Sequence, residues 1–250
     1  MQVIIMTSDN QYHCLDPFFY LWQKYYPDPV KFVICGFTPI DNWLADKFYS
    51  VGKFADYPPR RWSDALIKVL DEVADDVFTL MLEDYWLIRP VNADAVRMIY
   101  DYMHQFQNVL KFDLGYERLY SGTPPEGYNR FYWGYGDYNN LDYLDLIQSD
   151  PYSQYHMSLW GGMWRRDLLR QVLVPGESAQ EIEMRGGNRL LDHPEWLVLG
   201  TRQAPLRHIN AIQRGEWNPH DRSGLPGMKQ SDLNELRQLG YLQNYSPNET

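Results

Sequence analysis

Val77-Phe78-Thr79-Leu80-Met81-Leu82-Glu83-Asp84-Tyr85-Trp86 is the stretch on which the fold turns. The first six residues are apolar almost without a break. They suit a strand covered on both faces better than one with a wet side. The run ends abruptly in two acids. In open α/β sheets, ligands sit beyond the carboxyl ends of strands, where the connections reverse direction. Two carboxylates placed there can hold a ribose's hydroxyls, or a hard cation such as Mg²⁺ or Mn²⁺ on a pyrophosphate. The plainer role for such acids is to cap the next turn.

Working outward from that strand, Val3-Ile4-Ile5-Met6 reads as a buried strand broken by Thr7-Ser8-Asp9-Asn10. Leu15 to Tyr26 is helix-compatible and is stopped by Pro27 and Pro29, and Val30 to Cys35 is a second strand closed by Gly36. Ser63 to Val73 places Leu66, Val69, Leu70 and Val73 on one helical face, with Ser63 as its N-cap. Beyond the deciding strand, Val96, Ile99, Tyr100 and Met103 again share a helical face. Alternating strands and helices predict a mostly parallel central sheet flanked by helices on both faces. After residue 110 the pattern loosens, and 116–155 is rich in Tyr, Gly, Asp and Asn. Regularity returns at Tyr155–Trp160, then Gly161-Gly162, a helix near Arg165–Val172, a strand at Trp196–Gly200 and extended chain through Arg207–Ile212. Asp232 and Glu235 have capping-box spacing in a last short helix. The expected organisation is a single domain over 1–225, in halves 1–110 and 111–225, with a helical tail at 226–250.

Composition narrows the classes. With 250 residues, 44% hydrophobic and 22% charged, the chain can bury a sizeable core and is not a disordered one. No apolar run approaches the roughly 20 residues a bilayer span needs. No basic leader precedes the first strand, so a cytoplasmic location is expected. Two cysteines make neither a disulfide framework nor a zinc cluster. The net charge of −10 argues against indiscriminate polyanion binding. Its distribution is uneven: residues 151–225 hold nine arginines against eight acids, a net of +1, and four of the six histidines. A phosphate-bearing ligand could be met there locally. P-loop, dinucleotide-fingerprint, H-E-x-x-H and G-x-S-x-G motifs are all absent.

The strand ending in Thr7-Ser8-Asp9, the helix from Ser63, the strand ending in Glu83-Asp84-Tyr85 and Pro90 beyond it together resemble the GT-A glycosyltransferases. The likeness extends over roughly residues 1–215. Tyr155 to Gly162 is similar to that family's acceptor-side segment, and Pro175 to Glu183 to its later acidic motif. The resemblance implies a Rossmann-like GT-A fold and transfer of a sugar from a nucleoside-diphosphate donor, UDP-linked first, to an acceptor hydroxyl. It implies donor contacts from Thr7, Ser8, Asp9, Arg61, Glu83, Asp84 and Arg165, with Arg60 as a further phosphate candidate. Acceptor contacts fall to Trp86, Trp160, Gly161 and Gly162. Glu181 or Glu183 is the catalytic carboxylate; the two share a face on a strand and point apart on a helix. A divalent cation, Mn²⁺ or Mg²⁺, would be held by Glu83, Asp84 and His208. The third position of the family's D-x-D motif is Tyr85 here, and a phenol is a poor Mg²⁺ ligand. Metal-independent donor binding therefore stands beside the metal-dependent form. The implied acceptor is a saccharide or glycan, or a hydroxymethylated base in DNA as in phage-type enzymes, where the location would be the host cytoplasm. Trp133 and Tyr135 add aromatic surface for a sugar. The competing classes are a sugar-nucleotide nucleotidyltransferase and a non-catalytic carbohydrate-binding protein.

Overall fold

The computed structural model describes residues 1–58, 61–115, 135–153, 155–213, 216–219 and 227–243. Its strands are β1 (Gln2–Met6), β2 (Lys31–Gly36), β3 (Phe48–Ser50), β4 (Val77–Leu82), β5 (Tyr85–Leu87), β6 (Val109–Asp113), β7 (Tyr135–Leu141), β8 (Leu144–Ser149), β9 (Gly162–Arg165), β10 (Leu197–Thr201), β11 (His208–Asn210), β12 (Ile212–Gln213) and β13 (Glu216–Trp217). The helices are α1 (Leu15–Tyr25), α2 (Trp62–Glu72), α3 (Ala93–Gln105), α4 (Arg166–Val172), α5 (Ala179–Leu190) and α6 (Gln230–Gln238).

Among the described residues, nine strands form one sheet in the order β3-β2-β1-β4-β9-β6-β10-β8-β7. β8 and β9 run against the rest, so the sheet is mostly parallel, as the alternating pattern predicts. Side chains alternate across it. Val3 and Ile5 of β1 face one core layer, under α1, α3 and α6. Ile4 and Met6 face the other, under α2, α4 and α5. Because both layers are covered, β1 and β4 are buried along nearly their whole length, which is why they read as continuous apolar runs.

Three local expectations are corrected, and the strand beside the double glycine begins at Gly162. Gly162 is needed there, because a Cβ would lie 2.9 Å from the Phe112 carbonyl oxygen. Ser63 does not cap α2; it lies inside the helix, and its hydroxyl accepts the Glu177 N–H at 2.9 Å. In α3 the buried aromatic is Tyr102, while Tyr100 is half-exposed. Asp232 and Glu235 make no capping box at α6. They bond to α1 instead: Asp232 accepts from Tyr25 at 2.6 Å and Lys24 at 2.8 Å, and Glu235 from Tyr20 at 2.8 Å.

Candidate active site

Strand register gathers the polar residues. Met6 pairs with Cys35 on one side and Leu82 on the other, all in parallel. Thr7, Gly36 and Glu83 therefore leave the sheet side by side at its carboxyl edge. From β1 the chain runs outward to β2 and β3 and then returns across to β4, so the edge between β1 and β4 is where the connections reverse. That is the favoured ligand crevice of an open α/β sheet.

On the β1 side, Ser8 precedes a 3₁₀ turn, Asp9–Cys14, without capping it through its side chain. Asp9 ties the ends of β1 and β2 together. It accepts from the Thr38 N–H at 3.0 Å, the Thr38 hydroxyl at 2.5 Å and the Tyr12 hydroxyl at 2.7 Å. Burial alone would raise the Asp9 carboxyl, but these donors outweigh it and hold the group below its ordinary range. Thr7 is buried, and its hydroxyl oxygen has no hydrogen-bond partner among the described residues. Arg61 lies on the same edge, at the start of α2, exposed and paired with Asp64 at 2.9 Å.

On the β4 side, Glu83 and Asp84 form a turn whose backbone is pinned. The Trp86 indole donates to the Glu83 carbonyl at 3.0 Å, and the Ala211 N–H to the Asp84 carbonyl at 2.8 Å. Both acids keep some surface. Desolvation first, and the neighbouring Asp84 charge second, push the Glu83 carboxyl well above the usual carboxylate range. β5 then pairs with β11, setting Asn210 opposite Tyr85 and His208 opposite Leu87. Three rings close together: Tyr85 stacks on Trp160 at 5.5 Å, and His208 meets them edge-on at 4.7 and 5.5 Å. The chain passes close at Gly161, where a Cβ would lie 2.9 Å from Met81 Sδ and 3.0 Å from His208 Nε2. Burial lowers the imidazole pKa to about 3, so His208 is neutral at ordinary pH.

The expected metal set does not assemble. His208 is walled by Tyr85, Trp160 and Gly161, and among the described residues no three His, Cys, Asp or Glu side chains converge on a common point. Trp86 is fully buried against Trp217 at 5.1 Å and belongs to the core, whereas Trp160 is half-exposed beside the acidic turn.

The two carboxylates of α5 part company, as helical spacing requires. Glu181 completes a capping box with Ser178 and is bridged by Arg185 at 3.1 Å. Its Ser178-x-x-Glu181 spacing was the signal for that role. Truncation of Glu181 to Ala is expected to cost about 1 kcal/mol of stability and to leave turnover unchanged, as denaturant unfolding and initial rates would show. Glu183 reaches toward the site: its Oε1 accepts the Leu159 N–H at 2.7 Å, one residue before Trp160.

Arg165 is not brought to this edge. β9 is antiparallel and pairs Arg165 with Val77 at the opposite end of β4, about 17 Å away by strand rise. There Arg165 collects backbone carbonyls at the end of α3 and the start of β6, those of Met103, Phe106 at 3.1 Å and Val109 at 3.3 Å. Arg165→Met is accordingly expected to destabilise the fold by about 2–3 kcal/mol while nucleotide-sugar affinity stays within twofold, measurable by calorimetry. Five further arginines of the 151–225 stretch are ion-paired: Arg166 to Asp76, Arg170 to Asp71, Arg185 and Arg189 to Glu177, and Arg202 to Asp137. Arg60 and Trp133 lie outside the described residues, as does the side chain of Tyr135.

Sequence pattern missed one pair at this edge. Lys111 and Asp113, two apart on β6, share a face and form an ion pair, with Lys111 wholly buried. The only signal was two charges inside an otherwise apolar strand, Val109-Leu110-Lys111-Phe112-Asp113.

No family model matches the chain, and no curated protein matches it. Among solved structures the fold is similar to residues 1–349 of S. aureus TarS in complex with UDP, at 13% identity and a TM-score of 0.45, covering 80% of this chain and 56% of that one. It is also similar to glucosyl-3-phosphoglycerate synthase from Mycobacterium tuberculosis with Mg²⁺ and UDP, at 11% identity and a TM-score of 0.42, over 83% and 70% of the two chains. A third is CMP:2-keto-3-deoxy-manno-octonic acid synthetase with CTP, at 12% identity and a TM-score of 0.43, over 96% and 98%. The chain spans little more than half of the TarS fragment. Among the described residues, no helix is long and apolar enough to cross a membrane.

Proposed function

We propose that the chain is a glycosyltransferase, moving a sugar from a nucleoside-diphosphate donor to an acceptor hydroxyl. The observation that carries this reading is the placement of Glu83-Asp84 beside Thr7 at the reversal point of the sheet, with Trp160 stacked on Tyr85, the next residue after that turn. Asp84 and Thr7 hold donor hydroxyls, with Ser8 and Asp9 shaping the β1 wall. Arg61, at the start of α2, offsets the diphosphate charge. The exposed side of Trp160 takes a sugar's C–H face.

In the step itself, the acceptor oxygen forms a bond to the anomeric carbon while the bond from that carbon to the diphosphate oxygen breaks. The electron pair leaves with the nucleoside diphosphate. The acceptor proton passes to Glu183, whose carboxylate is fixed beside Trp160. The acidic turn stabilises the oxocarbenium-like centre electrostatically.

The test is turnover with a panel of UDP- and GDP-sugars against saccharide acceptors and hydroxymethylated DNA. Release of nucleoside diphosphate with a mass gain on a saccharide is the expected result. A mass gain on the DNA would reassign the acceptor. Pyrophosphate release from a nucleoside triphosphate and a sugar would make the chain a nucleotidyltransferase, and binding without turnover would make it a carbohydrate-binding protein.

A further inference from the structure

Lys111 is 0% exposed, in the middle of a covered sheet. A β-bulge in β6, where Leu197 faces Val109 and Val198 already faces Lys111, aims its side chain into the layer under α2, α4 and α5. The stem passes Gly162, where a Cβ would lie 3.0 Å from Lys111 Cε, and the ammonium sits 5.0 Å from the centre of the Trp164 ring. The ammonium donates to the Asp113 carboxylate and, at 2.8 Å, to the Ser158 carbonyl. A buried ion pair is poor evidence of stabilisation, because an apolar pair of similar volume usually does as well. Its distinguishing effect here is on position.

Ser158 belongs to the segment that crosses the carboxyl edge before β9. Each neighbour in that segment is also tied down. His156 Nδ1 is 3.0 Å from the Ser149 hydroxyl, Met157 fills the space over Gly186, and the Leu159 N–H donates to Glu183. The Ser158 hydroxyl accepts the Trp160 N–H at 3.1 Å. From His156 to Leu159 every residue is buried, and the first to emerge is Trp160, against Tyr85, which follows the acidic turn.

We infer that Lys111 is a positioning residue of the sugar site: by clamping Asp113 and the Ser158 carbonyl together it sets where the Trp160 ring stands over the Glu83-Asp84 turn. The inference rests on the glycosyltransferase reading for the meaning of Trp160, but not for the clamp itself. Two readouts separate them.

The variant to make is Lys111→Met with Asp113→Asn, which removes both charges together and leaves neither one buried alone. Hydrogen exchange of the Leu159 and Trp160 amides is expected to quicken at least about tenfold while amides of β4 keep their protection. Affinity for bare UDP is expected to stay unchanged, while the preference for UDP-sugar over UDP falls at least about tenfold, as a displaced sugar contact would produce. Unchanged protection at Leu159 and Trp160 overturns the clamp. Quickened exchange with an unchanged preference for UDP-sugar over UDP overturns the positioning role. If the intact protein shows no preference for any nucleotide sugar, the glycosyltransferase reading falls, and exchange alone decides the clamp. Should the double variant not fold, the intact protein decides it: Leu159 and Trp160 amides as slow as those of β4 support the clamp, and amides as fast as those of the exposed 40–43 loop contradict it.

Discussion

Asp84→Asn is expected to lower sugar transfer by about 10²–10³-fold, the range found when one preorganised electrostatic group is removed from a reacting centre. The amide matches the carboxylate in size, and the turn is held by its backbone, through Ala211 and the Trp86 indole. Folding should therefore survive. Asp84 also helps hold the Glu83 carboxyl high, so the Glu83 pKa in the variant should fall toward its ordinary range. Initial rates, with the melting temperature as control, check the prediction. A variant that folds and turns over normally would remove Asp84 from the site.

Acid should destabilise the protein through His208. The imidazole titrates near pH 3 in the fold and near 6.5 in an unfolded chain. Between those values the unfolded state binds more protons, so stability rises with pH across that window and is lost as the pH falls through it. At the acid end the loss reaches roughly 5 kcal/mol, a large part of an ordinary domain's stability. Asp9, held low, adds to the loss below its unfolded pKa. Glu83, held high, acts oppositely and weakens the fold as the pH rises above the ordinary carboxylate range. Urea unfolding of the intact protein and of His208→Leu at several pH values isolates the histidine. The difference between the two stability curves should slope between pH 3 and 6.5 and flatten above 7. Parallel curves throughout would contradict the buried neutral imidazole. A constant offset from repacking does not matter, because the slope is the readout.

The first half of the sheet was legible because its strands are covered on both sides. β1 and β4 show this as unbroken apolar runs, and the acids after Leu82 mark where the chain leaves cover. β9 went unread for a complementary reason: Gly162 looks like a break in the sequence. The glycine is in fact what lets β9 pass between β4 and β6. Arg165 was misplaced along with it, because antiparallel pairing with β4 puts it at the other edge. Glu181 carried a readable cap signal. Glu183 did not, because its partner Leu159 is 24 residues away. Lys111 shows the limit of periodicity, since a bulge that forms only against β10 decides which way its side chain points.

The most direct check on the account is thermal unfolding against nucleoside diphosphates and nucleotide sugars, with and without Mn²⁺. A ligand at about 100 times its dissociation constant adds roughly 2.7 kcal/mol, which for a chain of this size moves the melting temperature by roughly 5–10 °C. The account predicts such a shift with one class of nucleotide sugar, larger than with its bare diphosphate, and its loss in Asp84→Asn. No shift with any nucleotide would contradict the glycosyltransferase reading and leave only the fold.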